Sequence, residues 1–399
     1  MTPDTPEPPT PLDVSPSGEG SRPMPRSLRE LVDMVSGRNQ PSQPVEESGP
    51  AEALPFPFLA LVGQQEMKLA LLLSVINPAI GGVLLIGPRG TGKTTAVRSL
   101  LHVLPDVQRS ACFYGCLPED VETGGMDAVC PECARKYGQG EPLTVSSPVS
   151  LVELPLNARL SNVIGGLDEG EVAHERMRLK RGLLAQADLN LLFVDEVNLL
   201  ADEITNAILD ASAAGSYTIR QGAHAAFYRA RLTLIGSMNP EEGKLRPQIM
   251  DRFGLRVVVR GLLDPGERLE AYQRSVEYFR NPRAFVNRFE LATHQACQEI
   301  SAARSILPQV VLPEEIARLG IQLIQKLGLD SIRAEITLFE SARALAAADN
   351  RTQVTIADVR LVAPLALRLR RSEFMEHYFS ERSEEDERMN QTIQATLPE

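Results

Sequence analysis

The stretch GPRGTGKTT, residues 87–95, constrains the fold of this chain more than any other feature. Its pattern is G-x-x-x-x-G-K-T, and its glycines allow the backbone to curl so that successive N–H groups point at phosphate oxygens. The apolar run GGVLLIG before it predicts a short buried strand, and KTTAVRSLLHVL after it has the spacing of an amphipathic helix. A strand, this loop and a helix in that order predict a phosphate-binding loop in an α/β fold, with a parallel sheet between helices on both faces.

The residues of this loop have separate predicted roles. Lys93 would reach the β- and γ-phosphates of ATP, and the Thr94 hydroxyl would help to hold Mg²⁺. ATP and Mg²⁺ are therefore the expected ligands. The predicted nucleotide-binding residues of the loop are Gly87, Pro88, Arg89, Gly90, Thr91, Gly92, Lys93, Thr94 and Thr95.

Two more apolar runs predict buried parallel strands, and polar residues end both of them. LNLLFVDE (189–196) ends in Asp195 and Glu196, and LTLIGSMN (232–239) ends in Asn239. Asp195 would hold Mg²⁺ through water, while Glu196 would orient or deprotonate the water that attacks the phosphate. Asn239 would hydrogen-bond to the γ-phosphate or to that water. The order of these residues along the chain predicts a nucleotide-hydrolysing site.

Three arginines are candidates for an additional positive charge at the γ-phosphate. Two of them, Arg246 and Arg252, lie in KLRPQIMDRFG (244–254). We predict Arg252 as an arginine finger lent by a neighbouring subunit, with Arg246 as the second choice. Arg333 begins a predicted helix of the C-terminal part, from which it would contact the phosphates and report the nucleotide state.

Four cysteines lie close together in the sequence and have the spacing C-x3-C-x13-C-x2-C. Two close pairs separated by a loop are typical of a tetrahedral thiolate site, most often for Zn²⁺. An iron–sulfur cluster and four reduced thiols are the alternatives. Cys297, in a helical pattern, is predicted to be a core residue. The candidate ligands are Cys112, Cys116, Cys130 and Cys133.

The chain divides by composition and pattern into four parts. Residues 1–54 are acidic and rich in proline, which predicts disorder, although SLRELVDMVSG within them has helical spacing and would form a nascent or partner-docking helix. Residues 55–262 predict the nucleotide-binding domain, with an insertion at 108–150. Residues 263–372 predict an all-helical lid domain. Residues 373–399 form a second acidic tail.

The net charge of −11 belongs to the two tails. Residues 1–54 carry a net charge of −5 and residues 373–399 a net charge of −6, so the segment between them is neutral. Tryptophan is absent and aromatic residues make up 5% of the chain. A neutral core with few aromatic rings argues against a nucleic-acid-binding surface.

No membrane span or signal peptide is predicted. Residues 69–87 form an uncharged run of about the length that crosses a bilayer. The dipeptides Asn77-Pro78 and Gly81-Gly82 interrupt it, which predicts a helix over 64–76, a turn and a strand. The N-terminus has no apolar segment of the secretory type, so a cytoplasmic protein is expected.

The order of these motifs resembles that of the AAA+ ATPases and, among them, the I subunit of magnesium chelatase. The resemblance extends from about Phe56 to Arg371. It rests on FPFLALVGQ, GPRGTGKTTAVRSL, VELPLNA, GLLAQADLNLLFVDEVNLL, GSMNPEEGKLRPQIMDRFG and SIRAEI. That family uses ATP to drive insertion of Mg²⁺ into protoporphyrin IX in chlorophyll and bacteriochlorophyll synthesis.

The resemblance implies a role for each candidate residue and a set of partners. A homo-oligomeric ring, a hexamer, would carry ATP sites at its subunit interfaces. The partners would be a D subunit with an integrin-I-type (VWA) domain and a large porphyrin-binding H subunit, on which the metal would be inserted. The implied roles are Walker A for Lys93 and Thr94, Walker B for Asp195 and Glu196, sensor 1 for Asn239, arginine finger for Arg252 and sensor 2 for Arg333.

Two other functions remain open from the sequence. The chain could be a chaperone-like AAA+ ATPase that acts with a VWA-domain partner on a target other than a tetrapyrrole. It could also be a nucleic-acid motor, although the neutral core argues against this. Fold analogy alone does not separate these activities.

Overall fold

A parallel sheet of five strands lies at the centre of the molecule. The computed structural model describes residues 54–112, 115–167, 179–221 and 224–370. The predicted tails, apart from residue 54, lie outside the described residues, as does the turn at Gly222. The strands in chain order are β1 (Val83–Ile86), β2 (Val107–Ser110), β3 (Thr144–Ser147), β4 (Leu151–Leu154), β5 (Gly165–Leu167), β6 (Leu179–Arg181), β7 (Leu191–Val194), β8 (Ser216–Gln221), β9 (His224–Arg229), β10 (Thr233–Met238) and β11 (Leu255–Val258).

Helices cover both faces of the sheet and make up the C-terminal part of the described chain. Short 3₁₀ turns join several of them. The α-helices in chain order are α1 (Gln65–Ile76), α2 (Lys93–Leu100), α3 (Pro118–Gly124), α4 (Pro131–Gly138), α5 (Leu160–Ile164), α6 (Leu183–Gln186), α7 (Asp202–Ala214), α8 (Pro247–Arg252), α9 (Pro265–Arg280), α10 (Pro282–Ile306), α11 (Glu314–Lys326), α12 (Ile332–Ala348) and α13 (Ile356–Leu367).

The sheet has the strand order β11–β1–β10–β7–β4, and every pair in it is parallel. Strands β1 and β7 are buried along their whole length, as expected where helices cover both faces of a parallel sheet. Successive side chains of β1 point to opposite faces. Leu84 packs into one hydrophobic core and Leu85 into the other. The predicted α/β fold is confirmed.

The second of these cores joins the sheet to the C-terminal helices. It contains Leu85 and Phe193 from the strands together with Leu338 of α12 and Val362 of α13. Nine of the 17 residues of helix α12 are buried, because it packs against helices α1, α10, α11 and α13. The proposed division at residue 262 into a nucleotide-binding domain and a lid domain stays a prediction.

The long uncharged run at residues 69–87 folds as helix α1, a turn and strand β1, as predicted. Asn77 ends the helix, and its side-chain oxygen accepts a hydrogen bond from the N–H of Ala79 at 3.1 Å. Gly81 and Gly82 follow with φ values of 90° and 88°, which a residue with a Cβ rarely adopts. Within the described ranges, no helix is both long enough and apolar enough to span a bilayer.

Three smaller sheets among the described residues are antiparallel pairs, and one of them joins β5 to β6. Strands β8 and β9 form the hairpin that the sequence predicts. Strands β2 and β3 pair with each other near the two ends of the cysteine-containing insertion, and helices α3 and α4 lie between them in sequence. The prediction for Cys297 is wrong in part, because this residue of α10 is half-buried and not within the core.

Candidate functional site

The predicted nucleotide-binding residues meet at the carboxyl edge of the sheet. Gly87 follows β1, Asp195 follows β7 and Asn239 follows β10. These three strands are neighbours, with β10 in the middle. Ligands bind in this position in open α/β sheets, because the carboxyl ends of parallel strands leave a crevice between their loops.

The loop after β1 has the space and the backbone shape that a polyphosphate requires. A Cβ at Gly87 would lie 2.1 Å from the carbonyl oxygen of Val259, so the loop can leave the sheet here only through glycine. Gly90 and Gly92 have φ values of 78° and 84°, and no atom lies within 4 Å of the position of a Cβ at either residue. The residues present therefore fit ATP, because the curled backbone leaves open space above it.

Lys93 begins helix α2 and points back across the loop. Its Nζ donates hydrogen bonds to the carbonyl oxygens of Gly87 at 2.7 Å and Pro88 at 2.8 Å. The side chain is buried, and this burial lowers the pKa of Lys93, while Asp195 and two glutamates act in the opposite direction. A desolvated cation held by neutral carbonyls is well placed to bind a phosphate. Thr94, the candidate Mg²⁺ ligand, is half-buried beside it.

Ser237 connects Asp195 and Glu196, the two predicted Walker B acids. Its hydroxyl donates a hydrogen bond to Oδ1 of Asp195 and accepts one from the backbone N–H of Glu196 at 3.1 Å. Ser237 is buried at 1% exposure. Glu196 has a φ of 50°, in the left-handed region, which turns the chain sharply at the end of β7. Ser237 is a site residue that has no sequence signature of its own, although it lies two residues before Asn239 in a strand that the apolar pattern predicts.

A chain of polar contacts joins Glu196 to Asn239 through Arg89. The Arg89 guanidinium is 2.8 Å from Oε1 of Glu196 and 2.7 Å from Oε1 of Glu242. Asn239 donates to the same Glu242 oxygen at 3.1 Å. Its own side-chain oxygen accepts a hydrogen bond from the N–H of Glu241 at 3.3 Å. The structure therefore brings together the phosphate loop, the predicted Walker B glutamate and the sensor 1 candidate. It adds Glu242, which has no signature in the sequence.

The three candidate arginines form ion pairs with aspartates outside the phosphate loop. Arg252 pairs with Asp210 of α7, and Arg246 pairs with Asp202 at 2.6 Å. Arg333 lies 4.0 Å from Asp251. Among the contacts of the described residues, none joins these arginines to the phosphate loop. Their predicted roles stay predictions, and Arg252 has the further requirement of a second subunit.

Asp251, which is half-buried, is the centre of a polar junction next to Arg252. Its carboxylate contacts Arg370 at 2.8 Å, Arg256 at 3.2 Å and the Ser331 hydroxyl at 3.0 Å. The side chains of Arg256 and Arg370 are almost fully buried. Burial lowers the pKa of Arg256 to about 10. Sequence spacing gives no indication of this junction, because Ser331 lies 80 residues and Arg370 lies 119 residues from Asp251.

The four cysteines of the insertion meet in space. Their Sγ atoms all lie within 4.8 Å of one another. Cys116 and Cys133 are buried, and the other two are half-buried. The N–H of Cys116 donates to Sγ of Cys112 at 3.3 Å, and the N–H of Cys130 donates to Sγ of Cys116 at 3.3 Å. The predicted grouping is therefore confirmed, whereas the metal itself stays a prediction.

The fold and the site together define the class of protein. A phosphate-binding loop, paired acids after the neighbouring strands and a helical C-terminal region are the parts of an AAA+ ATPase. In agreement, residues 318–392 match the AAA lid domain family. The chain belongs to the family of the magnesium-chelatase subunit ChlI, as its similarity to known members shows.

Similarity to these relatives extends over most of the chain. It is 42% identical to the ChlI homolog of Methanocaldococcus jannaschii over 80% of this chain and 87% of that protein. It is 40% identical to the magnesium-chelatase 38 kDa subunit of Acidiphilium rubrum, over 79% and 90% respectively. It is 37% identical to ChlI of a Nostoc species, over 80% and 85%.

Two solved structures are similar as well. A Cytophaga hutchinsonii crystal structure is 19% identical, covers 78% of this chain and 84% of its own, and has a TM-score of 0.50, which supports the fold alone. The other belongs to a cryo-EM-based complex of subunits BchI and BchD of magnesium chelatase. It is 37% identical, covers 82% of this chain and 99% of its own, and has a TM-score of 0.45.

Proposed function

We propose that this AAA+ ATPase is the motor subunit of a magnesium-chelatase-type complex, in which its ATP hydrolysis drives insertion of Mg²⁺ into protoporphyrin IX by partner subunits. The observation that carries the proposal is the meeting of the Lys93 loop with Asp195 and Glu196 at one edge of the sheet. The relatives of the chain, which are magnesium-chelatase subunits by name, support the choice of target.

The residues of the site divide the work of hydrolysis. Lys93 and the loop N–H groups bind the phosphates and offset their charge. Mg²⁺, when bound at Thr94 and Asp195, supplies further neutralisation of the charge that develops on the phosphate oxygens. Glu196 orients the attacking water and accepts its proton. Ser237 fixes both acids, because it is hydrogen-bonded to one carboxylate and to the backbone of the other residue.

The assembly proposed for this motor is a hexameric ring in the cytoplasm. Each ring interface would bring Arg252 of one subunit to the ATP of its neighbour. A D-type subunit with a VWA domain would bind the ring, and a large H-type subunit would bind the porphyrin. The BchI–BchD complex among the similar structures supports a D-type partner. The cofactors are ATP and Mg²⁺, with Zn²⁺ at the four cysteines.

Reconstitution tests this proposal. The purified chain is combined with candidate D and H subunits, protoporphyrin IX and Mg²⁺, and formation of the metalloporphyrin is followed by fluorescence with and without ATP. ATP-dependent formation is expected. The Lys93→Ala variant should abolish both ATP hydrolysis and metal insertion, because the buried cation that binds the phosphates is gone.

Two results would contradict the proposal in different ways. A chain that hydrolyses ATP, and binds the D subunit, yet supports no metalloporphyrin formation would point to the chaperone-like alternative with a non-tetrapyrrole target. Unchanged ATP hydrolysis in Lys93→Ala would remove the loop from the mechanism altogether.

A further inference from the structure

The four cysteine sulfurs already have nearly the arrangement of a metal site. A tetrahedral Zn²⁺ thiolate site has Zn–S distances of about 2.3 Å, which separates its sulfurs by about 3.8 Å. The Sγ atoms here all lie within 4.8 Å of one another, so small changes in side-chain torsion would complete the site. The Ser110 hydroxyl donates its proton to the carbonyl oxygen of Cys116 at 2.7 Å, and backbone N–H groups donate to the sulfurs of Cys112 and Cys116 at 3.3 Å. Such donors stabilise thiolates that bind a metal.

The insertion has too little apolar core to be held together by burial alone. Its small cluster has three buried members, Cys116, Cys133 and Leu143. Partly buried Val121 and Val129 pack around them, with the remaining two cysteines. Most of this cluster is therefore sulfur, and only three aliphatic side chains contribute to it. Small modules of this kind depend on a metal for their folding energy.

We propose that Cys112, Cys116, Cys130 and Cys133 bind one structural Zn²⁺ ion, and that the metal-bound insertion anchors the β8–β9 hairpin. Four thiolates complete a tetrahedral shell and leave no open position, which defines a structural site and not a catalytic one. Zinc binding requires no oxidant or reductant, because Zn²⁺ displaces the thiol protons to solvent as the four Zn–S bonds form.

The anchor is Arg229, at the end of strand β9. Its guanidinium donates to the carbonyl oxygen of Gly115 at 2.7 Å and forms an ion pair with Asp120. Gly115 directly precedes Cys116 in the sequence, and Asp120 lies between Cys116 and Cys130. Asp120 is itself fixed, because it accepts a hydrogen bond from the N–H of Leu117 at 2.9 Å. The metal would therefore set the positions of the groups that hold Arg229.

The hairpin in turn leads into strand β10, which carries Ser237 of the nucleotide site. Two residues after β9, the guanidinium of Arg231 forms an ion pair with Asp188 at 2.9 Å. The backbone N–H of Arg231 also donates a hydrogen bond to the carboxylate of Asp188. The metal site is nevertheless separate from the phosphate loop. Zinc binding and the anchoring of the hairpin do not depend on chelatase activity. They are tested by zinc content, by cobalt spectra and by amide hydrogen exchange.

Metal analysis of the full chain is the first test. We expect about one Zn²⁺ per chain after purification without added chelator. In the Cys133→Ser variant the zinc content should fall by at least about tenfold, because the shell loses a thiolate. Cys297→Ser is the matched control, since this cysteine lies in α10, outside the cluster, and it should retain the full zinc content.

A second measurement holds even if the cysteine variant fails to fold. Zinc is removed from the wild-type chain with a chelator, and Co²⁺ is added in its place. A tetrahedral tetrathiolate site should give sulfur-to-cobalt charge-transfer and visible bands at a stoichiometry of one. No zinc in the purified chain together with no such bands would overturn the site. Iron with acid-labile sulfide, or disulfides among these four cysteines, would overturn it in favour of a cluster or a redox pair.

Hydrogen exchange tests the anchor. Zinc removal should raise amide exchange in β8 and β9 by at least about tenfold and leave β1 unchanged. Arg229→Ala should keep its zinc and show the same rise in the hairpin. Arg220→Ala is the control, because Arg220 is exposed on β8 of the same hairpin. Unchanged hairpin exchange after complete zinc loss would show that the metal does not anchor this element.

Discussion

At the scale of single residues, Glu196 is held more tightly than the sequence could indicate. Its carboxylate contacts Arg89 of the phosphate loop, and its backbone N–H is bound by Ser237. A base that must align a water molecule benefits from both restraints, because each reduces the positions that it can adopt. The Arg89 pair is exposed on the arginine side, so a phosphate can compete for this arginine when ATP binds.

Glu196→Gln should separate nucleotide binding from hydrolysis. The amide keeps the shape of the side chain but cannot accept the proton of the attacking water, so kcat should fall at least about 100-fold while ATP affinity changes little. Steady-state hydrolysis and binding of a fluorescent ATP analogue measure the two effects. Glu299→Gln, the same change at an exposed position of α10, is the control. A variant that hydrolyses ATP at the wild-type rate would exclude Glu196 as the base.

At the scale of elements, the sequence predicts strands and helices that have a local pattern of apolar residues. It does not predict which strands that are distant in sequence pair in the sheet. The loop, its flanking strand and helix, and the buried runs of β7 and β10 follow from spacing and apolar content. Strands β4 and β11 were not predicted as members of the sheet. Glu153 interrupts the apolar pattern of the first and Arg256 that of the second. Their partners are set by tertiary packing, which a single sequence does not specify.

The same difference between local patterns and distant contacts explains which site residues could be predicted. Lys93, Asp195 and the four cysteines were predicted because each belongs to a short motif with fixed spacing. Ser237 and Asp251 were missed because a serine in a buried strand, or an aspartate in a helix, has no local signature. Their importance arises from partners that the fold brings to them.

Helix α13 offers a test of how an element is fixed at its start. Thr355 and Asp358 form a capping box. Arg351 adds two hydrogen bonds to the same carboxylate, at 2.6 Å and 2.9 Å. Burial raises the pKa of Asp358, but the bonds from Arg351 and Thr355 outweigh it and leave the pKa below its ordinary value. The carboxylate form is therefore the stabilising one.

Asp358→Asn should lower the free energy of unfolding by about 2 kcal/mol at neutral pH, because a buried charged acceptor is lost. A group whose pKa is lowered by folding stabilises above its unfolded pKa and ceases to do so as the pH falls. The difference between wild type and variant should thus be constant down to about pH 5 and shrink below about pH 4. Urea unfolding across this range measures it.

Asp349→Asn is the matched control for that change. Asp349 pairs with the same arginine at 2.8 Å, but its side chain is 58% exposed. An exposed ion pair contributes about 0.5 kcal/mol or less, so this variant should unfold almost as the wild type does. Equal losses in the two variants would show that Arg351, and not the cap of α13, is responsible for the effect.

At the scale of the whole molecule, helix α8 connects the candidate finger to the C-terminal helices. Arg252 ends this helix, and Asp251 beside it contacts Arg370, Arg256 and Ser331. The side chain of Asp251 is 30% exposed, but its partners Arg256 and Arg370 are almost fully buried. A buried cation resists separation from its counter-ion, because it would be left without compensation. Any movement of the C-terminal helices that follows the nucleotide state would therefore be transmitted to α8, and with it to Arg252.

Complementation between two inactive variants tests whether Arg252 acts on a neighbouring subunit. Lys93→Ala and Arg252→Ala should each form rings that do not hydrolyse ATP. If the finger acts in trans, a mixed ring contains interfaces that pair an intact Lys93 loop with an intact Arg252. In a random equal mixture these are about a quarter of all sites, so hydrolysis should return to a comparable fraction of the wild-type rate. ATPase assays on the mixtures, with native mass spectrometry to verify mixed rings, provide the measurement.

Arg246 provides a control for the complementation experiment on Arg252. Arg252 and Arg246 both pair with aspartates of α7 in the free chain, and Arg246 is the more exposed of the two. We expect Arg246→Ala to hydrolyse ATP by itself, because the proposed exchange of an aspartate for a phosphate in the ring involves Arg252 and not Arg246. Verified mixed rings that stay as inactive as their separate components would instead show that Arg252 serves its own subunit. An inactive Arg246→Ala that is rescued by Lys93→Ala would transfer the role of finger to Arg246.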